Sequence, residues 1–185
     1  CGRKFYLAGI VPIAGRSLDF GMPWHDALMP IAPGYTALEH AVYSCVVAGC
    51  ETIWIVCHED TMPLVRKVVG ERYTDPLIPR YVIAHDQMRD IPIFYIPIHP
   101  KDRDRWDCLG MSVLHGAHCA YRMSLRLSKW TVPDKYFVSF PYGVFEQQVL
   151  RKERRFISSV KPWSMRYDER SVHDGLFLPF TFNAD

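Results

Sequence analysis

The residue types best suited to binding a ligand concentrate between Val11 and Gly49, in a glycine-containing loop entered at Gly15. Glycine lets backbone N–H groups approach phosphate oxygens closely, because no Cβ stands in the way. The pair His25-Asp26 lies in the same loop, and both a functional and a structural role are open for it. The chemistry expected of this loop is therefore recognition of a phosphate-bearing ligand.

The elements around this loop should place it at the edge of a sheet. The apolar run Phe5–Ile13 predicts a buried strand that leads into the loop. Thr36 is a good helix N-cap, and Glu39 three residues later completes a capping box, so a helix is expected over Thr36–Ala48. Open α/β folds bind ligands beyond the carboxyl ends of their strands. A binding site is therefore expected at that edge.

Strand-like and helix-like segments alternate along the rest of the chain. This alternation predicts βαβ units around a mainly parallel sheet. The expected fold class is therefore α/β, with three α/β/α layers in a Rossmann-like arrangement and one domain over residues 1–185. The further predicted strands are Thr52–Cys57, Tyr81–Ala84, Ile93–Ile98, Lys135–Phe140, Phe156–Val160 and Leu176–Phe182; the further predicted helices are Thr61–Val69, Leu109–Leu127 and Phe145–Lys152; and Asp75–Pro79 is a predicted loop.

Several segments before Cys57 match one known pattern: Ala14-Gly15, Met22-Pro23, Ala27-Leu28-Met29-Pro30-Ile31, Leu38-Glu39, Ala48-Gly49-Cys50 and the run Glu51–Val56. Together they resemble the opening segment of the sugar-phosphate nucleotidyltransferases, a family of the nucleotide-diphospho-sugar transferase superfamily. The resemblance implies a GT-A type fold. It also implies a nucleoside triphosphate or nucleotide-sugar as ligand and a sugar phosphate as second partner.

The chain differs from that family where the family holds phosphates. The family's Gly-Thr-Arg is replaced by Ser17-Leu18-Asp19, and its lysine by Asp26 or, in a second alignment, by Trp24. In the family, the arginine and the lysine neutralise the triphosphate and the pyrophosphate leaving group. A carboxylate roughly 4 Å from a phosphate oxygen costs about 4 kcal/mol at an effective dielectric of about 20. Arg16 alone cannot compensate, so weak or absent transfer to ordinary sugar phosphates is expected.

Two later segments extend the resemblance. Residues 106–114, which include Leu109-Gly110, are similar to the family's loop-to-helix segment whose backbone reads the nucleotide base, although an ordinary helix start fits equally well. The family's next strand ends in a Gly-Asp pair whose aspartate holds the catalytic magnesium. Ser139-Phe140 or Phe140-Pro141 takes that place here. Magnesium is thus the cofactor that the resemblance implies, but its usual carboxylate ligand is missing and its ligands stay unassigned.

Composition and charge argue against some classes of partner. The chain has 185 residues, a formal net charge of +2 and 49% hydrophobic residues, which is ordinary for a soluble globular protein. Nucleic-acid binding calls for a strongly basic stripe, so no nucleic-acid partner is expected. No apolar run reaches the length of a membrane span, and the N-terminus lacks a signal-peptide pattern. The sequence therefore predicts a cytoplasmic protein without a membrane partner.

Cysteine and histidine side chains offer further candidate sites. Cys45, Cys50 and Cys57 are expected to be buried thiols; a metal site that also uses His58 is the alternative, although no CxxC pair is present to anchor zinc. His115 and His118, with Cys119, are expected on one face of a helix. His85 and His99 each follow a predicted strand, where active sites gather.

Two classes of function fit these residues. In the first, the protein binds a nucleotide or nucleotide-sugar and transfers a nucleotidyl group to a sugar phosphate. In the second, the fold is a catalytically inactive scaffold with a regulatory or assembly role, for instance in a virion. The candidate catalytic residues are Arg16, His25 and Asp26, and the candidate ligand-binding residues are Ala14, Gly15, Ser17, Asp19, Leu109 and Gly110.

Overall fold

The computed structural model describes residues 5–15, 21–74, 90–103 and 108–184. The strands in these ranges are β1 (Leu7–Pro12), β2 (Pro30–Ala32), β3 (Tyr35–Thr36), β4 (Thr52–His58), β5 (Arg72–Thr74), β6 (Asp90–Ile98), β7 (Lys135–Val138) and β8 (Phe180–Asn183). The α-helices are α1 (Ala37–Ala48), α2 (Met62–Val69), α3 (Leu109–Leu127) and α4 (Gln148–Ile157).

Six of these strands form one sheet in the order β5-β6-β4-β1-β7-β8. The four central strands are parallel, and the two edge strands pair antiparallel with their neighbours. Strand β1 lies directly beside β4, with Ala8 opposite Thr52 and Pro12 opposite Val56. Strands β1, β4 and β7 are almost wholly buried, as parallel strands covered on both faces are. The prediction of a mainly parallel sheet with these two strands adjacent is confirmed.

Helices cover both faces of the sheet and complete three layers. On one face, α1, α2 and α4 contribute Leu38, Val65 and Leu150 to a single core cluster. On the other face, α3 packs against β1 and β4. Gly116 permits this close approach, because a Cβ there would lie 2.8 Å from Cγ2 of Val56. The predicted α/β/α architecture is therefore confirmed.

The first helix begins and ends as the local sequence predicts. Glu39 donates its backbone N–H to Oγ1 of Thr36 over 3.2 Å, and the Thr36 backbone N–H donates to Oε2 of Glu39 over 2.8 Å. The helix stops at Gly49, which has a left-handed φ of 100°. Helices commonly end at a residue in this conformation, and glycine adopts it readily because it has no Cβ to clash. The capping box predicted for this helix is confirmed.

Near the C-terminus one predicted helix is displaced and one predicted strand is wrong. The helix expected over Phe145–Lys152 is α4, which starts later and extends to Ile157. It starts late because the backbone carbonyl of Phe145 and the side chain of Gln147 bond to His40 instead. The strand expected over Phe156–Val160 is absent, because Ile157 completes the buried stripe of the helix and its neighbour Phe156 is helical as well.

Other parts of the prediction need smaller corrections or cannot be compared. The strand predicted over Leu176–Phe182 is shorter, since only β8 pairs with β7. The glycine-containing loop holds a short antiparallel pair, β2 and β3, which was predicted as loop. The predicted loop Asp75–Pro79 and strand Tyr81–Ala84 lie outside the described residues. None of the helices in the described part of the chain has the length and apolar character needed to cross a bilayer.

Candidate functional site

The candidate site lies at the edge of the sheet where the four parallel strands end. Parallel pairing brings their carboxyl ends to one side. Beyond β1 the chain continues as Ile13, Ala14 and Gly15, and the N–H of Ile13 donates to the Val56 carbonyl over 2.8 Å. Beyond β7 comes Ser139, whose N–H donates to the Ile10 carbonyl over 3.0 Å. This is the edge at which open α/β sheets bind ligands.

The end of β1 meets the beginning of α3 at this edge. A Cβ added to Gly15 would lie 3.0 Å from Cδ2 of Leu109, whereas one added to Gly110 would meet nothing within 4 Å. The Cys108 thiol accepts the N–H of Met111 over 3.4 Å. The first turn of a long helix therefore opens beside the glycine loop, and its N–H groups favour an anion. The structure thus brings four predicted ligand-binding residues together: Ala14, Gly15, Leu109 and Gly110.

The predicted catalytic pair, His25 and Asp26, lies beyond the carboxyl ends of β1 and β7, near the face of the sheet that α1 covers. Nδ1 of His25 is 3.0 Å from Oδ1 of Asp26, and both side chains are over nine-tenths buried. The same carboxylate oxygen accepts the Ala27 N–H over 2.9 Å and the Tyr142 hydroxyl over 3.4 Å. Nδ1 of His25 accepts the backbone N–H of Ala27 over 3.1 Å. The backbone carbonyl of Ile13 bonds to the ring and opposes the fall of its pKa.

The surroundings of this cluster determine its protonation near neutral pH. Burial lowers the pKa of His25, although the Asp26 carboxylate and the Ile13 carbonyl oppose that shift. Burial and the same carboxylate raise the pKa of Tyr142 well above its ordinary value. The ring of His25 is therefore neutral and the Tyr142 hydroxyl is protonated.

An apolar groove of about 590 Å³ opens next to the first turn of α3. No charged side chain lines it among the described residues. The groove shares Leu109 and Gly110 with the glycine-loop contact, and it ends on the aromatic side chains beyond β7. The residues lining it are Cys108, Leu109, Gly110, Met111, Val113, Leu114, Phe140, Val172, Gly175, Leu176, Phe177, Phe180 and Phe182.

Several predicted site residues lie outside the described ranges or away from this edge. Arg16, Ser17, Asp19 and His85 are outside the described residues. The thiols of Cys45 and Cys50 pack around Gly9, and burial raises the pKa of Cys57 to about 12, which opposes a thiolate. No group of three potential ligands among His, Cys, Asp and Glu occurs in the described part of the chain. On α3, Sγ of Cys119 lies 3.8 Å from Nε2 of His115, so those two share a face as predicted.

Two polar contacts were missed by the sequence analysis, one at this edge and one at the opposite edge of the sheet. Tyr142 reaches Asp26 across 116 positions of sequence. Lys135, at the start of β7, is fully buried, and its ammonium group donates to the carbonyls of Ile157, Ser159 and Lys161. Neither has a local sequence signal, because the partners are brought together only by the fold.

Comparison with known proteins supports the fold through structure and not through sequence. No family model matches the chain, and no curated protein matches it. The crystal structure of Rv0371c from Mycobacterium tuberculosis aligns with a TM-score of 0.55 and 16% identity, over 97% of this chain and 71% of that one. Its manganese complex aligns with a TM-score of 0.52 and 15% identity, over 96% and 71%.

A nucleotidyl transferase from Methanothermobacter also aligns, with a TM-score of 0.48 and 18% identity, over 81% of this chain and 57% of that one. The chain therefore shares with Rv0371c an α/β fold built on a mostly parallel sheet. Identities this low establish the fold alone, because one fold hosts many activities. Function must therefore be argued from the site.

Proposed function

We propose that residues 1–185 form a nucleotidyltransferase-like domain that binds a nucleoside triphosphate or nucleotide-sugar and transfers a nucleotidyl group to an acceptor. The observation that carries this proposal is the contact between Gly15 and Leu109. It sets the glycine loop against the first turn of α3, where Gly110 leaves open space. Backbone N–H groups at such a position suit phosphate oxygens. The acceptor that the family resemblance implies is a sugar phosphate.

Magnesium has no role assigned in this proposal. The residues that follow β7 are Ser139 and Phe140, and neither supplies the carboxylate that magnesium usually takes. The described residues also hold no group of three potential metal ligands. The manganese in the Rv0371c complex belongs to that protein. The residues present here do not fit the family's metal site, so no catalytic step is derived through a metal.

Nucleotide binding is tested by thermal denaturation with each of the common nucleoside triphosphates and with UDP-glucose, in the presence of magnesium. A ligand at a hundred times its Kd stabilises the native state by about 2.7 kcal/mol, which gives a clear rise in Tm. Gly110→Val should abolish that rise, because its side chain would fill the open space at the first turn of α3. The variant is expected to remain folded, since a Cβ at this position meets no neighbouring atom.

The matched control is His118→Val, an exposed position on the same helix. It should retain the ligand-induced rise in Tm, because its side chain is two turns beyond the glycine loop. Stabilisation of Gly110→Val equal to that of the unchanged protein would place the ligand elsewhere. Absence of any rise with the unchanged protein would reject nucleotide binding.

A further inference from the structure

The apolar groove beside the first turn of α3 differs in its lining from other cavities of the molecule. None of the side chains that line it carries a nitrogen or an oxygen atom. Two other cavities in the described part of the chain, of about 610 and 460 Å³, have charged side chains in their walls, Asp134 in one and Glu146 and Arg151 in the other. A groove of about 590 Å³ has the size of a small-molecule site. Its lining therefore favours an uncharged, apolar group.

The aromatic wall of the groove is held by its own packing. The ring of Phe140, which follows β7, lies at centroid distances of 5.8 Å from that of Phe177 and 6.2 Å from that of Phe180. The rings of Phe180 and Phe182 are 6.2 Å apart. Gly143 allows Phe177 to lie here, because a Cβ on that glycine would clash with the Phe177 carbonyl oxygen. The groove is therefore formed before any ligand enters it.

The groove is continuous with the proposed nucleotide site. Leu109 and Gly110 line it, and Leu109 is also the residue that Gly15 approaches. A group held in the groove therefore ends beside the first turn of α3, where an anion is favoured. A ligand that fills both places has a phosphate at one end and an apolar group at the other.

We propose that the acceptor is a phosphate monoester of an apolar alcohol, aromatic or aliphatic, and that its apolar group occupies this groove. This inference rests on the proposed function, and it replaces the sugar of the acceptor that the family resemblance implies. A sugar carries several hydroxyl groups, and burying a hydroxyl group without a hydrogen-bond partner costs free energy. An apolar group gains free energy when the same walls remove it from water.

The transfer step to such an acceptor needs no protein base. A phosphate monoester has a second pKa of about 6, so most of it is a dianion at neutral pH. One of its oxygens bonds to the α-phosphorus of the nucleoside triphosphate. The bond from that phosphorus to the bridging oxygen breaks, and its electron pair leaves with pyrophosphate. The product joins the nucleoside to the apolar alcohol through two phosphates.

Binding is measured by isothermal titration calorimetry with 1-naphthyl phosphate, hexyl phosphate and glucose 1-phosphate, and with 1-naphthol as a probe that lacks the phosphate. One of the two apolar phosphates should bind at least about tenfold more tightly than glucose 1-phosphate, and the tighter of the two shows whether the group is aromatic or aliphatic. 1-Naphthol should bind more weakly than 1-naphthyl phosphate. Glucose 1-phosphate binding as tightly as both apolar phosphates, no binding of either, or equal binding of 1-naphthol and its phosphate would overturn the proposal.

Leu114→Gln tests whether the ligand lies in the groove. Leu114 lines the groove and is 58% exposed, so the variant should remain folded. It should weaken binding of the apolar phosphate about tenfold without changing the nucleotide-induced rise in Tm. The matched control is Leu125→Gln, which is 45% exposed on the same helix and lies outside the groove; it should bind as the unchanged protein does. Equal losses in the two variants, or no loss in Leu114→Gln, would overturn the assignment of the groove.

Transfer is measured by ³¹P spectroscopy of a nucleoside triphosphate with magnesium and the tighter-binding apolar phosphate. The expected products are pyrophosphate and a diphosphate diester with two coupled phosphorus signals. A protein that binds both ligands but releases no pyrophosphate would refute the acceptor role. If no nucleotide raises the Tm while the apolar phosphate still binds and Leu114→Gln weakens it, the proposed function and the acceptor role fail, whereas the groove remains assigned as the binding site of the apolar phosphate.

Discussion

The buried ammonium group of Lys135 is expected to stabilise the end of α4. Its side chain is fully buried at the start of β7. Nζ donates over 3.0 Å to the Ile157 carbonyl, 2.9 Å to that of Ser159 and 2.6 Å to that of Lys161. The Ile157 carbonyl lies at the C-terminal end of the helix, where partial negative charge accumulates and a cation is favoured. The carbonyls of Ser159 and Lys161 belong to the segment that follows the helix. A single side chain therefore ties the sheet to the helix end.

We expect Lys135→Met to lower the free energy of unfolding by about 2–4 kcal/mol. Each hydrogen bond to a charged group contributes about 1.5–3 kcal/mol, but the gain is offset because the buried ammonium group must be desolvated. Methionine retains most of the side-chain volume, so little of the loss comes from a cavity. Since small domains have about 5–15 kcal/mol of stability in total, this loss is large.

Urea denaturation followed by circular dichroism measures the effect, and an unchanged m value shows that the native state stays intact. The matched control is Lys152→Met, an exposed lysine on α4. Its effect should stay within about 0.5 kcal/mol, as is usual for surface substitutions. Equal effects of the two substitutions would refute the argument, because the three carbonyl contacts would then contribute nothing measurable.

Two further predictions concern packing and pH. Gly116→Ala should lower the free energy of unfolding by about 1–3 kcal/mol, because its Cβ would lie 2.8 Å from Val56. The control is Gly110→Ala, whose Cβ meets no atom within 4 Å and which should leave the urea midpoint nearly unchanged. Equal urea midpoints for the two variants would contradict the packing argument. Burial lowers the pKa of His40 from its ordinary value of 6.5. The unfolded chain therefore binds a proton more readily, and the free energy of unfolding should fall as the pH decreases below about 6.5. Urea midpoints measured from about pH 7 to about pH 5 should decline less in His40→Gln than in the unchanged protein, and an equal decline in both would rule out His40 as the source.

Local patterns in the sequence were sufficient for the main elements of the fold. The apolar run around β1 and the capping box of Thr36 and Glu39 predict a strand, a loop and a helix in the order observed. The helix predicted over Leu109–Leu127 has the same bounds in the structure. These signals are readable because periodicity and caps involve residues only a few positions apart.

Errors arose where a local pattern competed with distant contacts. The apolar residues near Phe156 suggested a strand, but Leu150 and Ile157 bury one stripe of α4 and carry the helix through this segment. The start of the same helix is displaced because Gln147 donates to His40, 107 positions away in sequence. Propensity is a weak signal, and a tertiary contact can override it.

The sequence by itself determined the alternation of strands and helices, the position of the glycine loop and the candidacy of His25 and Asp26. Only the tertiary structure decided that Tyr142 completes that pair and that Lys135 caps a helix. The physical reason is distance along the chain. Caps and periodic patterns act over one or two turns, whereas these polar contacts exist only after β1, β7 and α4 have packed together and excluded water.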